Sequence, residues 1–368
     1  MGIRAAARAS VKCGLMLTAV LAMAPAMAMA IAGDGDYARI ARRFASEEKF
    51  DGVVLVGQGR RIEYVEAFGV ADAEHGRAMS ADTRFETGSI SKWIAAIVVM
   101  KLVDEKKLSL DAPISTYLPD YRADTGAKLT LRRLMSHSSG LPNQVQDARK
   151  NDEAVKSAEL PLREAVRRYA SGDLAFAPGE QWDYSHSNWI LVKAVVERAS
   201  GRRYEELVER ILIRPLRLKD SGVFAGDSAA VENGAVGYAS LAPAAQRKVS
   251  PVPAYMAMTG GYYTSAGDLL KLMDGVLDGP VLSAESRETL MATLMPEQHY
   301  ALGGRVRSQE IAGKSYVFAD EYGSNGAYRV LAKRALRDGR TVIVMNNTSF
   351  DHLRIGKLAD ELQAALYP

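Results

Sequence analysis

A serine and a lysine are spaced as a nucleophile and its base would be. Ser89 follows Gly88, and Lys92 comes three positions later at the start of a long apolar run. If a helix begins at Ser89, both side chains share one face and the lysine amine reaches the serine hydroxyl. A serine becomes a strong nucleophile when a neighbouring base takes its proton, and a desolvated lysine can be that base. The spacing predicts acyl transfer through Ser89, against the alternative of a helix-capping serine beside a solvated lysine.

The Ser-x-x-Lys spacing alone is a weak signal, because it occurs twice. Ser46 and Lys49 repeat it in a charged segment, which indicates a solvated helix end. The Ser89 copy instead opens an apolar helix directly after a glycine. The surroundings of each copy, rather than the spacing, favour Ser89 as the reactive residue.

Longer stretches around Ser89 carry a family resemblance. They are residues 85–92, 108–119, 129–142, 178–185, 197–201 and 259–269. In this order they resemble the serine β-lactamase-like hydrolases, which include class C β-lactamases, penicillin-binding DD-peptidases, D-aminopeptidases and related esterases. The resemblance extends from about residue 50 to residue 346. It implies a serine hydrolase that forms an acyl-enzyme and needs no metal or cofactor.

The family's second motif, Tyr-x-Asn, corresponds here to Tyr184-Ser185-His186. The resemblance implies that Tyr184 shares with Lys92 the movement of the serine proton to the leaving group. The alternative is a core aromatic residue. His186 replaces the amide of most relatives and is placed in the substrate site by the alignment. An imidazole is bulkier than an amide and can ionise near pH 6.5, so it does not copy a group that donates and accepts at once. The resemblance implies that ester hydrolysis is easier to retain than β-lactam or peptide chemistry, because some esterases of the family also lack that Asn.

The family's third motif, Lys-Thr-Gly or His-x-Gly on a strand, is matched loosely by Ser324-Asn325-Gly326. The glycine would let substrate approach the backbone closely. If the alignment holds, the amide N–H groups of Ala327 and Ser89 form the oxyanion hole. The alternative for this segment is a polar turn between two strands.

The cationic first residue of that third motif is absent. Its loss removes an anchor for a substrate carboxylate, which counts against β-lactams and D-Ala-D-Ala peptides. Arg329, on the same strand face as Ala327, is a candidate substitute.

Two further polar residues lie inside the resembling stretches. The resemblance implies that Gln144 binds a substrate amide and that His137 is structural, closing a helix, rather than the base of a serine triad. The five histidines form no His-x-x-x-His pair, so no zinc site is predicted. Gly-x-Ser-x-Gly is absent, which argues against an α/β-hydrolase.

The elements that must position these residues follow from hydrophobic patterns. Helices are predicted at about 36–48, 93–103 and 353–366, and a hairpin at 53–56 and 62–68. Late strands are predicted near 302–306, 316–319, 327–332 and 341–345. Strands at both ends with helices between them predict an α/β (α+β) fold: one antiparallel sheet built from both termini, flanked by helices, with an inserted all-helical lobe at roughly 105–250.

The charge balance points to export. The chain has 47 basic and 44 acidic residues, and Arg4, Arg8 and Lys12 precede a short apolar run that ends at Ala28-Met29-Ala30. This layout is typical of a cleaved signal peptide, and the run is too short for a membrane span. We expect a signal peptide at 1–30, one hydrolase domain at 31–368, and a periplasmic or secreted protein without a stable membrane anchor.

The remaining chain is neutral in charge and contains no cysteine, because Cys13 lies in the leader. That excludes cysteine hydrolases and gives no basis for nucleic-acid binding. We expect a small ester, amide or peptide substrate, with a carboxylic ester or small amide favoured. The alternatives are a catalytically inactive binding protein with the same fold, or a DD-peptidase or D-aminopeptidase.

Overall fold

The computed structural model describes Gly2 and residues 35–367. The predicted leader lies outside the described residues apart from Gly2. Thirteen strands occur in the described part: β1 Gly52–Gln58, β2 Arg61–Phe68, β3 Val70–Asp72, β4 Arg77–Ala78, β5 Phe85–Glu86, β6 Gly222–Val223, β7 Tyr238–Ser240, β8 Gln246–Arg247, β9 Tyr262–Thr264, β10 Val306–Ile311, β11 Lys314–Asn325, β12 Tyr328–Ala335 and β13 Arg340–Asn346.

The α-helices of the described part are α1 Gly35–Glu48, α2 Ile90–Asp104, α3 Ala123–Gly126, α4 Leu131–Met135, α5 Gln144–Asn151, α6 Ala154–Ser157, α7 Leu162–Tyr169, α8 His186–Ser200, α9 Tyr204–Val208, α10 Arg214–Leu216, α11 Ala257–Gly260, α12 Ala266–Leu277, α13 Ala284–Met291 and α14 His352–Ala365. Single 3₁₀ turns lie at Ile114–Thr116, Ser228–Ala230, Ala254–Met256 and Pro296–Gln298, and a π-helical turn at Glu209–Ile213. No helix in this part of the chain is both long and apolar enough to cross a membrane.

One six-stranded antiparallel sheet joins the two ends of the sequence. Its strand order is β10-β11-β12-β13-β1-β2, and β1 pairs with β13 with Val54 opposite Val344. Side chains alternate between the faces of a strand, so Val54 and Val56 face the core under α1 and α14, while Val53 and Leu55 face the larger core. The predicted fold class, with one sheet built from both termini, is confirmed. The lobe inserted at roughly 105–250 is mostly helical but not all-helical, because the short strands β6, β7 and β8 lie within it.

Helix α2 is buried on nearly all sides. It packs against α8, α11, α13 and β11, and its residues from Ile90 to Met100 are all inaccessible or nearly so. A helix that is apolar all round is stable only inside a core. This burial carries Lys92 out of solvent along with the apolar residues.

Most of the predicted helices and strands are present, and the position predicted for one strand is wrong. The helices expected at 36–48, 93–103 and 353–366, the early hairpin and the last three strands are present. The strand expected at 302–306 begins only at Val306. Gly303 has φ +77°, and a Cβ there would lie 2.7 Å from the Lys92 carbonyl oxygen, so the chain bends against α2 before it becomes extended.

Candidate active site

Ser89 and Lys92 are brought together as the spacing predicts. Ser89 immediately precedes α2, and the buried Lys92 Nζ lies 3.2 Å from Ser89 Oγ. The same amine donates a 2.8 Å hydrogen bond to the carbonyl oxygen of Thr259. This second contact fixes the amine at the serine, because a buried lysine without partners would carry a large desolvation cost.

The first turn of α2 is held in place by β9. The Thr87 N–H donates to the Tyr262 carbonyl oxygen at 2.9 Å, and the Tyr262 N–H donates to Ser91 Oγ at 3.1 Å. Gly88, with φ +52°, makes the turn between β5 and α2. Ser89 therefore sits at a fixed position where the positive end of a helix dipole favours a developing negative charge.

Tyr184 completes a three-residue hydrogen-bonded group. Its hydroxyl donates to Ser89 Oγ at 2.8 Å, and its ring lies 5.1 Å from Lys92 Nζ. The ring of His137 packs on the Tyr184 ring with centroids 4.3 Å apart. Ser89 Oγ is thus in contact with two groups that can take its proton.

His137 holds this group without contacting the serine. Its Nδ1 accepts a 3.1 Å hydrogen bond from the Ser185 N–H, and burial, then the charge of Lys92, lower its pKa well below the ordinary value. A neutral imidazole whose Nδ1 lone pair is already used positions Tyr184, and is poorly placed to act as a base for Ser89.

His186 opens α8 at the edge of the same site. Its backbone N–H donates to Asn143 Oδ1 at 2.9 Å, and Asn143 Nδ2 donates to the Tyr184 carbonyl oxygen at 3.1 Å. Burial, followed by the charges of Lys92 and Arg149, lowers the pKa of His186 well below its ordinary value. A neutral imidazole keeps one donor and one acceptor, and the lowered pKa disfavours the ionisation near pH 6.5 expected from the sequence.

Ser324 and Asn325 of the expected third motif line the site, but its glycine and the following alanine lie beyond the segment that meets the nucleophile. β11 ends at Asn325, and Gly326 and Ala327 form the two-residue turn into β12. A Cβ on Gly326 would face the Lys248 carbonyl oxygen at 3.0 Å, and Ala327 is fully buried outside the pocket lining. The structure does not bring the Ala327 amide to Ser89, because the hairpin turn carries it past the site.

Gly323 and Ser324 are the residues of β11 that lie beside the nucleophile. A Cβ on Gly88 would lie 2.6 Å from Ser324 N, and one on Gly323 would lie 3.0 Å from Ser89 N. β10 pairs with β11 only as far as Ala319, which leaves this outer edge to the Gly88-Ser89 turn. Glycine is needed at Gly88 and Gly323 because any side chain would force the two backbones apart.

Asn325 supports the site from the end of β11. Its Nδ2 donates to Glu86 Oε1 and, at 2.7 Å, to the Ser250 carbonyl oxygen. Burial raises the pKa of Glu86 to about 8, while hydrogen bonds from Ser228 and Asn325 oppose that rise. Arg329 does not substitute for the missing cation, since its guanidinium donates to the carbonyl oxygens of Gly326 and Tyr328.

A pocket of about 680 Å³ opens in front of Ser89. Its lining includes Ser89, Tyr184, His186, Ser324 and Asn325. Trp182 and four cationic residues also line it: Arg149, Lys150, Lys156 and Arg305. In the range 35–367, no group of three or more His, Cys, Asp or Glu side chains is arranged to hold a metal ion. The arrangement is suited to acyl transfer: a nucleophile, two proton carriers and adjacent backbone amides around one cavity.

The sequence profile of the Beta-lactamase family matches residues 37–360. The chain belongs to this family. Its relatives include Esterase EstB of Burkholderia gladioli, which is 33% identical over 261 residues, covering 62% of this chain and 66% of that protein. The family prediction is confirmed, and the relatives include proteins named as an esterase and as penicillin-binding proteins.

Solved structures of the β-lactamase and transpeptidase fold resemble most of this chain. A penicillin-binding protein from Bacillus halodurans has a TM-score of 0.75 at 22% identity, covering 87% of this chain and 98% of that one. A D-stereospecific amidohydrolase from Streptomyces sp. has a TM-score of 0.73 at 22% identity, covering 88% and 98%. At this identity the likeness shows the fold alone.

Not every residue predicted for this β-lactamase-family site reaches the pocket. Gln144 Oε1 accepts a 3.1 Å hydrogen bond from the Gly172 N–H, and among the described residues Gln146 rather than Gln144 lines the pocket. Gln144 begins α5 with its side chain against the loop at Gly172, whereas Gln146, Arg149 and Lys150 of the same helix line the cavity. The structure does not bring Gln144 to the site.

Several site residues were missed by sequence reasoning. The pocket also contains Arg149, Ser250 and Arg305, while the Thr259 carbonyl oxygen holds Lys92. Thr259 was inside a recognised stretch, but its contribution is a backbone atom. Arg149 and Arg305 have no local pattern that would separate them from surface arginines.

Proposed function

We propose that this chain is an exported serine hydrolase that acts through a Ser89 acyl-enzyme on carboxylic esters and small amides. The observation that carries the proposal is that Ser89 Oγ contacts both Lys92 Nζ, at 3.2 Å, and the Tyr184 hydroxyl, at 2.8 Å, at the pocket. Two proton carriers on one serine are what nucleophilic catalysis requires.

The chemistry proceeds by two acyl transfers. Ser89 Oγ attacks the substrate carbonyl carbon while its proton passes to Lys92 or Tyr184, and the same pair returns that proton to the departing alcohol or amine. Water then attacks the acyl-enzyme carbonyl carbon and gives up a proton to the same pair. The pair returns that proton to Ser89 Oγ as the bond from Oγ to the acyl carbon breaks, which releases the carboxylic acid and the free serine. Each bond formed at the carbonyl carbon is matched by one broken, so no cofactor is consumed.

The oxyanion hole consists, in this proposal, of the N–H groups of Ser89 and Ser324. The Ser89 amide belongs to the first turn of α2, whose N–H groups lack intrahelical acceptors. Ser324 lies on the free edge of β11 against Gly88. Donors of this kind are typically worth about 10²- to 10³-fold in rate.

Ester substrates are favoured over β-lactams by one observation: a family member 33% identical to the chain is named an esterase. The leader pattern of residues 1–30 supports export to the periplasm or the medium, with residues 31–368 as one hydrolase unit.

Covalent labelling tests the proposal. The protein is incubated with a fluorophosphonate and, separately, with a fluorescent penicillin, and its intact mass is measured. We expect a single fluorophosphonate adduct on wild type and on Ser46→Ala, and none on Ser89→Ala.

The Ser46→Ala control removes the other serine that has a lysine three residues later. An unlabelled wild type would favour the inactive binding protein. An adduct that persists in Ser89→Ala would move the nucleophile elsewhere. Hydrolysis of 4-nitrophenyl esters, compared with nitrocefin, then ranks ester against β-lactam turnover.

A further inference from the structure

The pocket in front of Ser89 is lined by cations and, within the described chain, by no carboxylate. Arg149, Lys150, Lys156 and Arg305 all face it. The chain outside the predicted leader is charge-neutral overall, so this local excess is not a property of the whole surface. Low-dielectric walls strengthen the field of such a cluster and concentrate it on the cavity.

Two of the four cations already have acidic partners outside the cavity. Lys156 Nζ lies 2.6 Å from Glu153, and Lys150 Nζ lies 4.0 Å from Asp147. Arg149 and Arg305, by contrast, form no ion pair with a carboxylate among residues 35–367. The buried Glu321 interacts with Arg305, but burial raises the pKa of the Glu321 carboxyl well above its ordinary value. They are the cations whose charge is left for a ligand.

Arg149 is the more unusual of the two because it is 92% buried by accessible surface. Its guanidinium donates to Ser250 Oγ at 3.2 Å and to the Pro251 carbonyl oxygen at 3.3 Å, and approaches the Met256 sulfur at 3.6 Å. These neutral partners orient the group without cancelling its charge. A buried charge with no counter-ion is costly to a fold, so its retention needs a reason such as an anionic ligand.

The acidic groups around Arg149 do not neutralise it. Burial lowers the pKa of Arg149, and Tyr255, Glu153 and Glu86 oppose that effect. The Glu86 carboxyl is held by Asn325 rather than by Arg149, and burial raises its pKa to about 8, which reduces its negative charge at neutral pH. Glu153 is paired with Lys156. An arginine side chain is not deprotonated at neutral pH, so Arg149 keeps its positive charge.

One segment ties Arg149 to the catalytic group. Residues 250–259 contact Arg149 through Ser250 and Lys92 through the Thr259 carbonyl oxygen. Asn325, at the end of β11, donates to the Ser250 carbonyl oxygen at 2.7 Å. The guanidinium is therefore held in a fixed relation to Ser89 and to the edge of β11.

Arg305 reaches the pocket from another part of the chain. Its guanidinium lies 5.1 Å from the centre of the Tyr300 ring, which itself packs on His137 with centroids 5.1 Å apart. A guanidinium on an aromatic face keeps its edge donors available. It thus adds a second oriented cation to the cavity.

We propose that the substrate of this enzyme carries a carboxylate that binds to the Arg149 guanidinium, with Arg305 strengthening the field. The substrate class is a half-ester or half-amide of a dicarboxylic acid, or an ester or amide bearing a free carboxylate on either side of the scissile bond. Turnover of such a substrate rests on the proposed function, whereas its binding does not. The cation missing from the third motif is supplied by α5.

A matched pair of esters tests the inference. The probes are 4-nitrophenyl hydrogen adipate and its methyl ester, which differ in one charge and are too long to hydrolyse themselves rapidly. We expect wild type to prefer the anionic ester in kcat/KM, and Arg149→Gln to reduce that preference by about 10- to 100-fold, the worth of one charge-assisted hydrogen bond. Arg163→Gln, at an exposed arginine of α7, should keep the wild-type preference.

A binding arm separates this inference from the proposed function. Calorimetric titration of Ser89→Ala with monomethyl adipate, a stable half-ester, and with dimethyl adipate should show tighter binding of the anion, weakened by added salt and by Arg149→Gln. If the anion binds more tightly but wild type hydrolyses neither ester, the carboxylate site is supported and the proposed function is overturned. Turnover of both esters at a ratio near one, unchanged in Arg149→Gln, would overturn the inference alone.

Two further variants cover the case in which Arg149→Gln fails to fold. Arg149→Lys keeps the charge but not the forked geometry, and Arg305→Gln leaves Arg149 intact. Each should lower the anionic-to-neutral ratio in a protein with a wild-type thermal transition. A ratio unaffected by both would overturn the assignment of the carboxylate to these two arginines.

Discussion

The two Ser-x-x-Lys copies of this chain have the same spacing and opposite surroundings. Ser46 and Lys49 are exposed near the end of α1, where the Ser46 hydroxyl donates to the Arg43 carbonyl oxygen at 2.9 Å. Ser89 and Lys92 lie at the start of the buried α2, where Lys92 is inaccessible to solvent. Sequence spacing alone therefore does not distinguish the exposed copy from the buried one.

The difference lies in which end of a helix each copy occupies. Lys49 follows the last turn of α1 with φ +52°, beyond the carbonyl groups that carry the negative end of the dipole. Ser89 precedes the first turn of α2, where N–H groups favour an alkoxide, and its lysine is held by the Thr259 carbonyl oxygen. A chemical role needs the tertiary contacts as well as the spacing.

After loss of Ser89 itself, the largest effect on activity is expected from replacing Lys92. Lys92→Met should lower kcat/KM for a neutral ester by about 10²- to 10⁴-fold, because the serine loses its adjacent proton acceptor. Lys49→Met should change it little. Steady-state kinetics on both variants measures the contrast, and equal losses in the two would contradict the distinction drawn between the copies.

A smaller loss is expected when only the tyrosine hydroxyl is removed. Tyr184→Phe keeps the ring packed on His137 but deletes the 2.8 Å hydrogen bond to Ser89. We expect kcat to fall by about 10²-fold or more with a thermal transition close to that of wild type. Tyr117→Phe, which removes an acceptor for the Ser109 N–H far from the pocket, is the matched control. Full activity of Tyr184→Phe would assign the proton transfer to Lys92 alone.

The buried acid beside the Ser89 copy should make folding pH-dependent, while an acid beside the Ser46 copy should not. Glu86 has a pKa of about 8 in the folded protein against an ordinary 4.5, with burial as the main cause. Between these values the unfolded chain releases a proton that the folded chain keeps, so the free energy of unfolding falls as pH rises from about 4.5 to 8.

Glu86→Gln removes that proton exchange. The melting temperature of this variant relative to wild type should therefore increase by at least about 2 °C between pH 5 and pH 8. Glu47→Gln, on the exposed end of α1, should show no such trend. A difference for Glu86→Gln that stays constant with pH would contradict a neutral Glu86.

The smallest effect is expected at His186. The imidazole is neutral in the folded protein, so His186→Asn should leave the pH profile of ester hydrolysis between pH 6 and 8 unchanged. The rate should change by less than about tenfold, the worth of one neutral hydrogen bond. A step near pH 6.5 present in wild type and absent in His186→Asn would show that the histidine ionises during turnover.

The sequence predicted features of neighbouring residues in the chain better than contacts between residues that are far apart in it. The sheet of both termini, the buried α2 and the Ser89-Lys92 contact follow from local periodicity and spacing, and the structure contains them. In the third motif, Ser324 and Asn325 reach the pocket, but the glycine was placed three residues too late. Its position depends on where β11 passes Ser89, and the glycine chosen was Gly326 of the turn rather than Gly323 of the strand.

The sequence by itself determined the family, the fold class and the pair Ser89 and Lys92, because these depend on residue order and on periods of two and 3.6 along the chain. Only the tertiary structure decided which backbone amides meet Ser89, that His186 is neutral, that Gln144 points away, and that Arg149 brings a positive charge into the pocket. Those features arise where segments far apart in the chain meet. Burial and close approach there are set by packing, which no local pattern encodes.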